Sequence, residues 1–174
     1  MLALQSLHHF DHIGETIGLI ARALRPGGLL IVDEFVGPSR LQWTKAQLRT
    51  ANALLAALPA QRRVQADGRI KRRVIRPSVL SMRLDDPSEA AEASDLLPAL
   101  RQNFTILEEH PYGSALHLAL HGIAHNFLGD DPVTAQVLRQ CFTAEEEASA
   151  RLPHDYIYAV YRPAASQANA LRRG

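Results

Sequence analysis

The sequence predicts an α/β fold, and three observations carry that prediction. The run Leu29-Leu30-Ile31-Val32-Asp33-Glu34-Phe35 is continuously apolar until it ends in two acids, the pattern of a strand buried on both faces. Strand-like and helix-like stretches alternate along the chain. Helix starts can be read from capping chemistry, in which a side-chain oxygen satisfies the orphan amides of the first turn.

The elements follow in order. The opening run Leu2-Ala3-Leu4-Gln5-Ser6-Leu7 has no cap, turn or polar lead-in, and is read as the end of a buried strand whose front is cut away. Asp11 is the expected cap of a helix running to about Leu24. Arg25-Pro26-Gly27-Gly28 stops that helix, because glycine accepts the left-handed turn and proline cannot continue the ladder. Strand 29–35 comes next. Thr44, with Gln47 three residues on, opens a second helix through Leu58, ended by Pro59. Asp86-Pro87-Ser88-Glu89 combines a cap, a proline at the first helical position and a reciprocal glutamate, and so predicts a third helix start. Residues 104–109 form a shorter, partly alternating strand. Asp131-Pro132 starts another helix, and Thr143 with Glu146 a fifth. Tyr156-Ile157-Tyr158-Ala159-Val160-Tyr161 is rich in aromatic and β-branched residues, and Pro163 ends it. Residues 164–174 read as a disordered tail.

Bulk properties bound the function. With 174 residues the chain is one domain's worth, and 47% hydrophobic with 21% charged residues excludes disorder throughout. A net charge of +1 supplies no global attraction to nucleic acid or membrane. The single cysteine, Cys141, excludes an intrachain disulfide and fits a reducing cytoplasm, the expected location. No segment approaches the ~18 consecutive apolar residues of a membrane span. Met1-Leu2-Ala3-Leu4 also lacks the basic start of an export signal.

Leu24-Arg25-Pro26-Gly27-Gly28-Leu29-Leu30-Ile31-Val32-Asp33 resembles the helix-turn-strand that leads into strand five of class I S-adenosylmethionine-dependent methyltransferases. Ser6-Leu7-His8-His9-Phe10 resembles the end of strand four, which passes beside the cofactor in that family. The segment from Glu34 through Gly37-Pro38-Ser39-Arg40 to Trp43-Thr44 is similar to a bacterial branch with a helical insertion after strand five. Asp86-Pro87-Ser88-Glu89-Ala90 and the closing Asp155–Tyr161 stretch are similar to the same branch. The resemblance spans residues 2–163 and implies a partial Rossmann-like methyltransferase sheet. It comprises strands four to seven, with the last strand antiparallel and inserted between strands five and six, and a helical lid insertion over about 44–100. It further implies that residues 1–163 are the C-terminal half of a methyltransferase domain, without the glycine-rich loop that approaches the cofactor. No Gly-x-Gly-x-x-Gly replaces that loop, and Gly27-Gly28 stands before a strand rather than after one.

Candidate site residues follow. The resemblance places Leu7, His8 and His9 on the S-adenosylmethionine side, where a strand end opens onto the ligand crevice; a histidine there is also a candidate general base. Asp33 and Glu34 are adjacent, so they point to opposite faces and cannot share one reacting atom. One is expected to bind substrate or orient the lid, the other to be solvated or capping. Trp43 either helps form the lid or anchors the insertion. The turn at Tyr112-Gly113 resembles one that lines the family's substrate side. His117, His121 and His125 recur every fourth residue and form one stripe if this stretch is helical. The outer two would lie ~12 Å apart, too far to share one metal ion, and Leu118 stands where zinc proteases carry glutamate. His117 and His121 are therefore expected to line substrate or belong to a solvated face, with no metal. Residues 62–76 carry Arg62, Arg63, Arg69, Lys71, Arg72, Arg73 and Arg76. No aromatic residue interleaves them, so a solvated lid face is expected over a nucleic-acid surface.

The expected activity is methyl transfer from S-adenosylmethionine to a small-molecule acceptor. The alternative is a truncated or degenerate, non-catalytic methyltransferase-like protein that acts by association with another chain. Strand four would offer an open apolar edge, so a homo-oligomer, or pairing with the missing N-terminal half, is expected there.

Overall fold

The computed structural model describes residues 1–164. The tail expected at 164–174 lies, from residue 165 on, outside the described residues. The protein is mixed α/β, and the chain divides into two compact units.

The first unit comprises residues 1–42, 77–112 and 154 onward, and holds the sheet. Its strands are β1 (Leu2–Leu4), β2 (Leu30–Phe35), β3 (Phe104–Tyr112) and β4 (Tyr156–Pro163), in the order β1-β2-β4-β3. β1 pairs parallel to β2, with Ala3 opposite Val32. β4, last in sequence, lies between β2 and β3 and runs antiparallel to both. Helices α1 (Ile13–Ala23), α3 (Val79–Asp85) and α4 (Ala93–Asn103) complete the unit.

Side-chain alternation decides what the sheet buries. Leu30 and Val32 of β2 and Ile157, Ala159 and Tyr161 of β4 pack with Ile13, Ile17 and Ala21 of α1 and Leu96 and Leu100 of α4. Each fully buried Leu or Ile side chain contributes about 1.5–3 kcal/mol relative to exposure. The strand at 29–35 was expected to be buried on both faces. Instead Ile31 and Asp33 are only half-buried, while Leu2, Leu4 and Ile106 are exposed. One face of the sheet is covered, and the apolar run therefore alternates in burial. β3 extends past the expected Glu109 to Tyr112, because a bulge between Ile106 and Glu108 restores its pairing with β4.

The second unit comprises residues 43–76 and 113–153. It contains α2 (Lys45–Ala57), α5 (Leu116–Leu120) and α6 (Pro132–Ser149), with 3₁₀ turns at Ala60–Arg63 and Ala124–Phe127. Its core joins Ala51, Leu55, Leu58, Val74, Leu118, Ile123, Phe127 and Cys141. Cys141 is buried in this core, and burial raises its thiol's pKa. The insertion expected over about 44–100 thus divides. Residues 43–76 belong to this unit, whereas 77–100 group with the sheet, where α4 supplies core side chains.

Two expected caps are present in full. Thr44 and Gln47 exchange side-chain to backbone hydrogen bonds of 3.1 and 3.0 Å, a complete capping box on α2. Asp131 accepts from the Thr134 amide at 2.9 Å, ahead of Pro132. Three expectations are corrected. Asp11 does not cap α1: His12 holds that position in a left-handed conformation (φ 53°), and Glu92 Oε2 accepts from the Ile13 amide at 2.9 Å. Asp86 starts no helix; it follows the last residue of α3, and its Oδ1 accepts from the Ser88 amide and hydroxyl at 2.9 and 2.7 Å. The same side-chain oxygen can close a local turn as readily as open a helix. Thr143 opens nothing, because α6 continues through it to Ser149 with no Gly or Pro to interrupt it. Among the described residues no helix is long and apolar enough to cross a membrane.

Candidate functional site

The chain leaves β1 through a turn whose geometry is set by one buried carboxylate. Glu34 sits on the helix-covered side of β2 and is fully buried. Its Oε1 accepts from the Ser6 and Leu7 amides at 2.7 and 2.9 Å and from the Ser6 hydroxyl at 3.2 Å. Its Oε2 lies 3.0 Å from His8 Nδ1. Burial alone would raise the Glu34 pKa, but the hydrogen bonds from His8, Leu7 and Ser6 outweigh it and hold the carboxyl below its ordinary value. An ionised carboxylate only accepts, so His8 carries its proton on Nδ1 when neutral, and Nε2 is its proton-accepting nitrogen.

Leu7, His8 and His9 form a single 3₁₀ turn, with Leu7 and His8 buried. The His8 and His9 rings are 4.3 Å apart between centroids, and Phe35 meets His8 edge-on at 6.0 Å. His9 is held from the turn after α3: Nδ1 lies 3.2 Å from Ser88 Oγ, and Nε2 lies 3.7 Å from Glu89 Oε2. Ser88, Glu89 and Phe35 were not among the expected site residues. Ser88 and Glu89 are remote from His9 in sequence, so no local spacing signals the contact.

On the opposite side of β2, Asp33 accepts a hydrogen bond from the Tyr112 hydroxyl. Tyr112 stacks on Tyr156, with ring centroids 5.4 Å apart. Burial, and then the hydrogen bond to Asp33, push the Tyr112 phenol far above its ordinary pKa, so it stays a neutral donor. Asp33 and Glu34 thus point to opposite faces and serve different networks, as strand alternation requires.

Trp43, His117 and His121 all belong to the second unit. Trp43 meets His117 edge-on at 6.5 Å. The histidine stripe does not form: α5 ends at Leu120, His121 is extended (ψ 127°), and Gly122 has φ +74°. His125 then falls in a separate 3₁₀ turn. Glycine's freedom at positive φ lets the chain leave the helix here, and a four-residue spacing cannot reveal that by itself.

Among the described residues, His8, His9 and Glu89 are the group that could hold a metal ion, with candidate ligand atoms within 4.8 Å of one another. Ligands around a tetrahedral zinc ion sit roughly 3.3–3.5 Å apart, so this set would have to draw together. The two rings are in contact, and each is hydrogen-bonded elsewhere, His8 to Glu34 and His9 to Ser88. Leu7, His8 and His9 face the carboxyl ends of two parallel strands, the usual ligand side of such sheets. Among the described residues no strand-to-helix glycine-rich loop accompanies them. The sequence matches no family model and no curated protein.

Proposed function

We propose that these residues form the strand-four-to-seven side of a class I S-adenosylmethionine-dependent methyltransferase acting on a small-molecule acceptor. The observation that carries the reading is the strand order, with the reversed β4 inserted between β2 and β3. The Leu7-His8-His9 turn at the carboxyl end of β1 supports it further. S-adenosylmethionine, when bound, supplies an electrophilic methyl carbon on a sulfonium. The chain's own contribution is positional. Glu34 fixes the turn and the His8 tautomer, His8 Nε2 offers a proton-accepting site, and Ser88 and Glu89 orient His9. Alignment of reacting groups is worth several orders of magnitude in rate, so a conspicuous catalytic triad is not required. Calorimetric titration of the chain with S-adenosylmethionine tests the reading. Saturable heat that is lost in His8→Ala is the expected result, and no heat at high protein concentration rejects methyl transfer by this chain alone.

A second reading is a non-catalytic, methyltransferase-like protein that works by associating with another chain. It is favoured by β1, an edge strand whose Leu2 and Leu4 are 60% and 53% exposed. Absence of cofactor heat together with concentration-dependent self-association would select it.

A further inference from the structure

Independently of that reading, the second unit contains a groove whose cations have no acidic partner among the described residues. Between Phe35 and Leu84 the only carboxylate is Asp67, and the Arg69 guanidinium takes it at 2.6 Å. The basic run at 62–76 separates into two groups. Arg62 donates to Thr134 Oγ1 at 2.6 Å and lies 3.9 Å from Asp131. Lys71 donates to the carbonyls of Leu118, Ala119 and His121 at 2.8, 3.1 and 2.8 Å, closing the end of α5. These residues, with Arg69, are engaged in the structure.

The side chains of Arg72 and Arg73 make no hydrogen bond or ion pair among the described residues, and Arg76 has a backbone carbonyl but no acid as its partner. With Lys45 and Arg49 of α2 they line a groove of about 760 Å³, along with Asn52 and Ile75. None of the five cations makes an ion pair among the described residues. The groove is a built feature. Asn52 grips the extended segment at Val74, donating to its carbonyl and accepting from its amide, both at 2.9 Å. Val74 is buried, so its neighbours Arg73 and Ile75 are turned outward. Arg76 donates to the Trp43 carbonyl, which ties the segment to the start of α2.

Electrostatics argue against this arrangement unless an anion completes it. Lys45 and Arg49 are like charges one turn apart, a repulsive spacing. They sit at the N-terminal, positive end of α2, whose first turn has no acid to offset them. Three guanidinium forks, the remaining nitrogens of Arg76 and one ammonium suit the oxygens of adjacent phosphates, each open fork able to hold two oxygens at once. The volume is that of a small-ligand pocket rather than a nucleic-acid track, and no lining residue is aromatic. We propose that this groove binds a small molecule carrying a diphosphate or larger polyphosphate.

The test titrates the full chain with inorganic pyrophosphate, orthophosphate and a single-stranded RNA oligonucleotide, at low and high salt. Pyrophosphate is expected to bind more tightly than orthophosphate and to weaken with salt. Arg49→Gln combined with Arg73→Gln is expected to weaken pyrophosphate about tenfold or more, the worth of one lost charge-assisted contact or better. Arg69→Gln, whose partner is Asp67, is expected to leave binding unchanged within error. All three residues are exposed, so circular dichroism should show unaltered folding. If the double variant does not fold, Arg72→Gln takes its place with the same expectation. No pyrophosphate binding by the parent chain, or equal binding by the groove variant, overturns the proposal. Length-dependent RNA binding that outcompetes pyrophosphate also overturns it, in favour of a nucleic-acid surface.

Discussion

Glu34 Oε2 lies 3.0 Å from His8 Nδ1 while its other oxygen receives the amides of Ser6 and Leu7. One buried side chain therefore ties the exit of β1 to β2 and dictates the histidine's tautomer. Removing it strands the Leu7 amide and a His8 ring nitrogen in the interior and frees the Ser6 amide beside them. Glu34→Ala is expected to cost about 2–4 kcal/mol, measured by chemical denaturation. Glu34→Gln keeps the shape and should cost less. Its one oxygen is needed by the Ser6 and Leu7 amides, which turns the amide NH2 toward His8, so nitrogen NMR of His8 should lose the Nδ1–H tautomer expected in the parent. An unchanged tautomer would show that Glu34 does not set it.

The same carboxylate has a pH signature. Its folded-state pKa lies below the ordinary value of 4.5, because the hydrogen bonds from His8, Leu7 and Ser6 outweigh the opposing effect of burial. A carboxylate depressed in the folded state contributes stability that is fully present above about pH 4.5 and lost as pH falls through its folded value. Melting temperature should therefore fall as the pH drops below about 4.5, and Glu34→Gln should flatten that fall. Asp131, Asp86 and Glu109 are also depressed, so the variant should retain part of the slope.

Helix caps separate real from apparent signals. Asp131→Ala and Thr44→Ala remove observed caps, and each should cost about 1 kcal/mol in denaturant melts. Asp11→Ala should be nearly neutral, since Asp11 makes no cap, whereas Glu92→Ala should cost about 1 kcal/mol by freeing the Ile13 amide. Glu145→Ala should cost more, about 2 kcal/mol, because its carboxylate receives the amides of Ser114, Ala115 and Leu116. The ordering Glu145 > Asp131 > Asp11 is the checkable outcome.

That ordering also marks what was legible in the chain. Thr44 with Gln47 and Asp131 with Pro132 are local signals, complete within four residues, and the structure carries both. So is the strand order's raw material, four apolar runs in the right sequence. Glu92 and Glu145 serve helices distant in the chain, and nothing near Ile13 or Ser114 announces them. Asp86 shows the converse failure: its local pattern is equally good for a turn, and the choice is made by α4 starting only at Ala93. At the site, adjacency alone placed Asp33 and Glu34 on opposite faces, but it could not say that Glu34 would face His8. The four-residue histidine spacing misled because it carries no information about Gly122, where the helix has already ended.

The edge strand makes the last prediction. β1 ends the sheet, pairing with β2 on one side, and its Leu2 and Leu4 are exposed while Ala3 is buried between them. Its outward backbone groups and apolar side chains form a short template for a further strand. The parent chain is therefore expected to self-associate as concentration rises, read by light scattering. Leu2→Lys combined with Leu4→Glu should shift it toward monomer, since charges on an edge oppose strand addition. Both side chains are exposed, so the thermal melt of the dilute protein should change by no more than surface substitutions usually do, about 0.5 kcal/mol. A parent that stays monomeric at high concentration, or a variant that associates equally well, would show that β1 is not the contact.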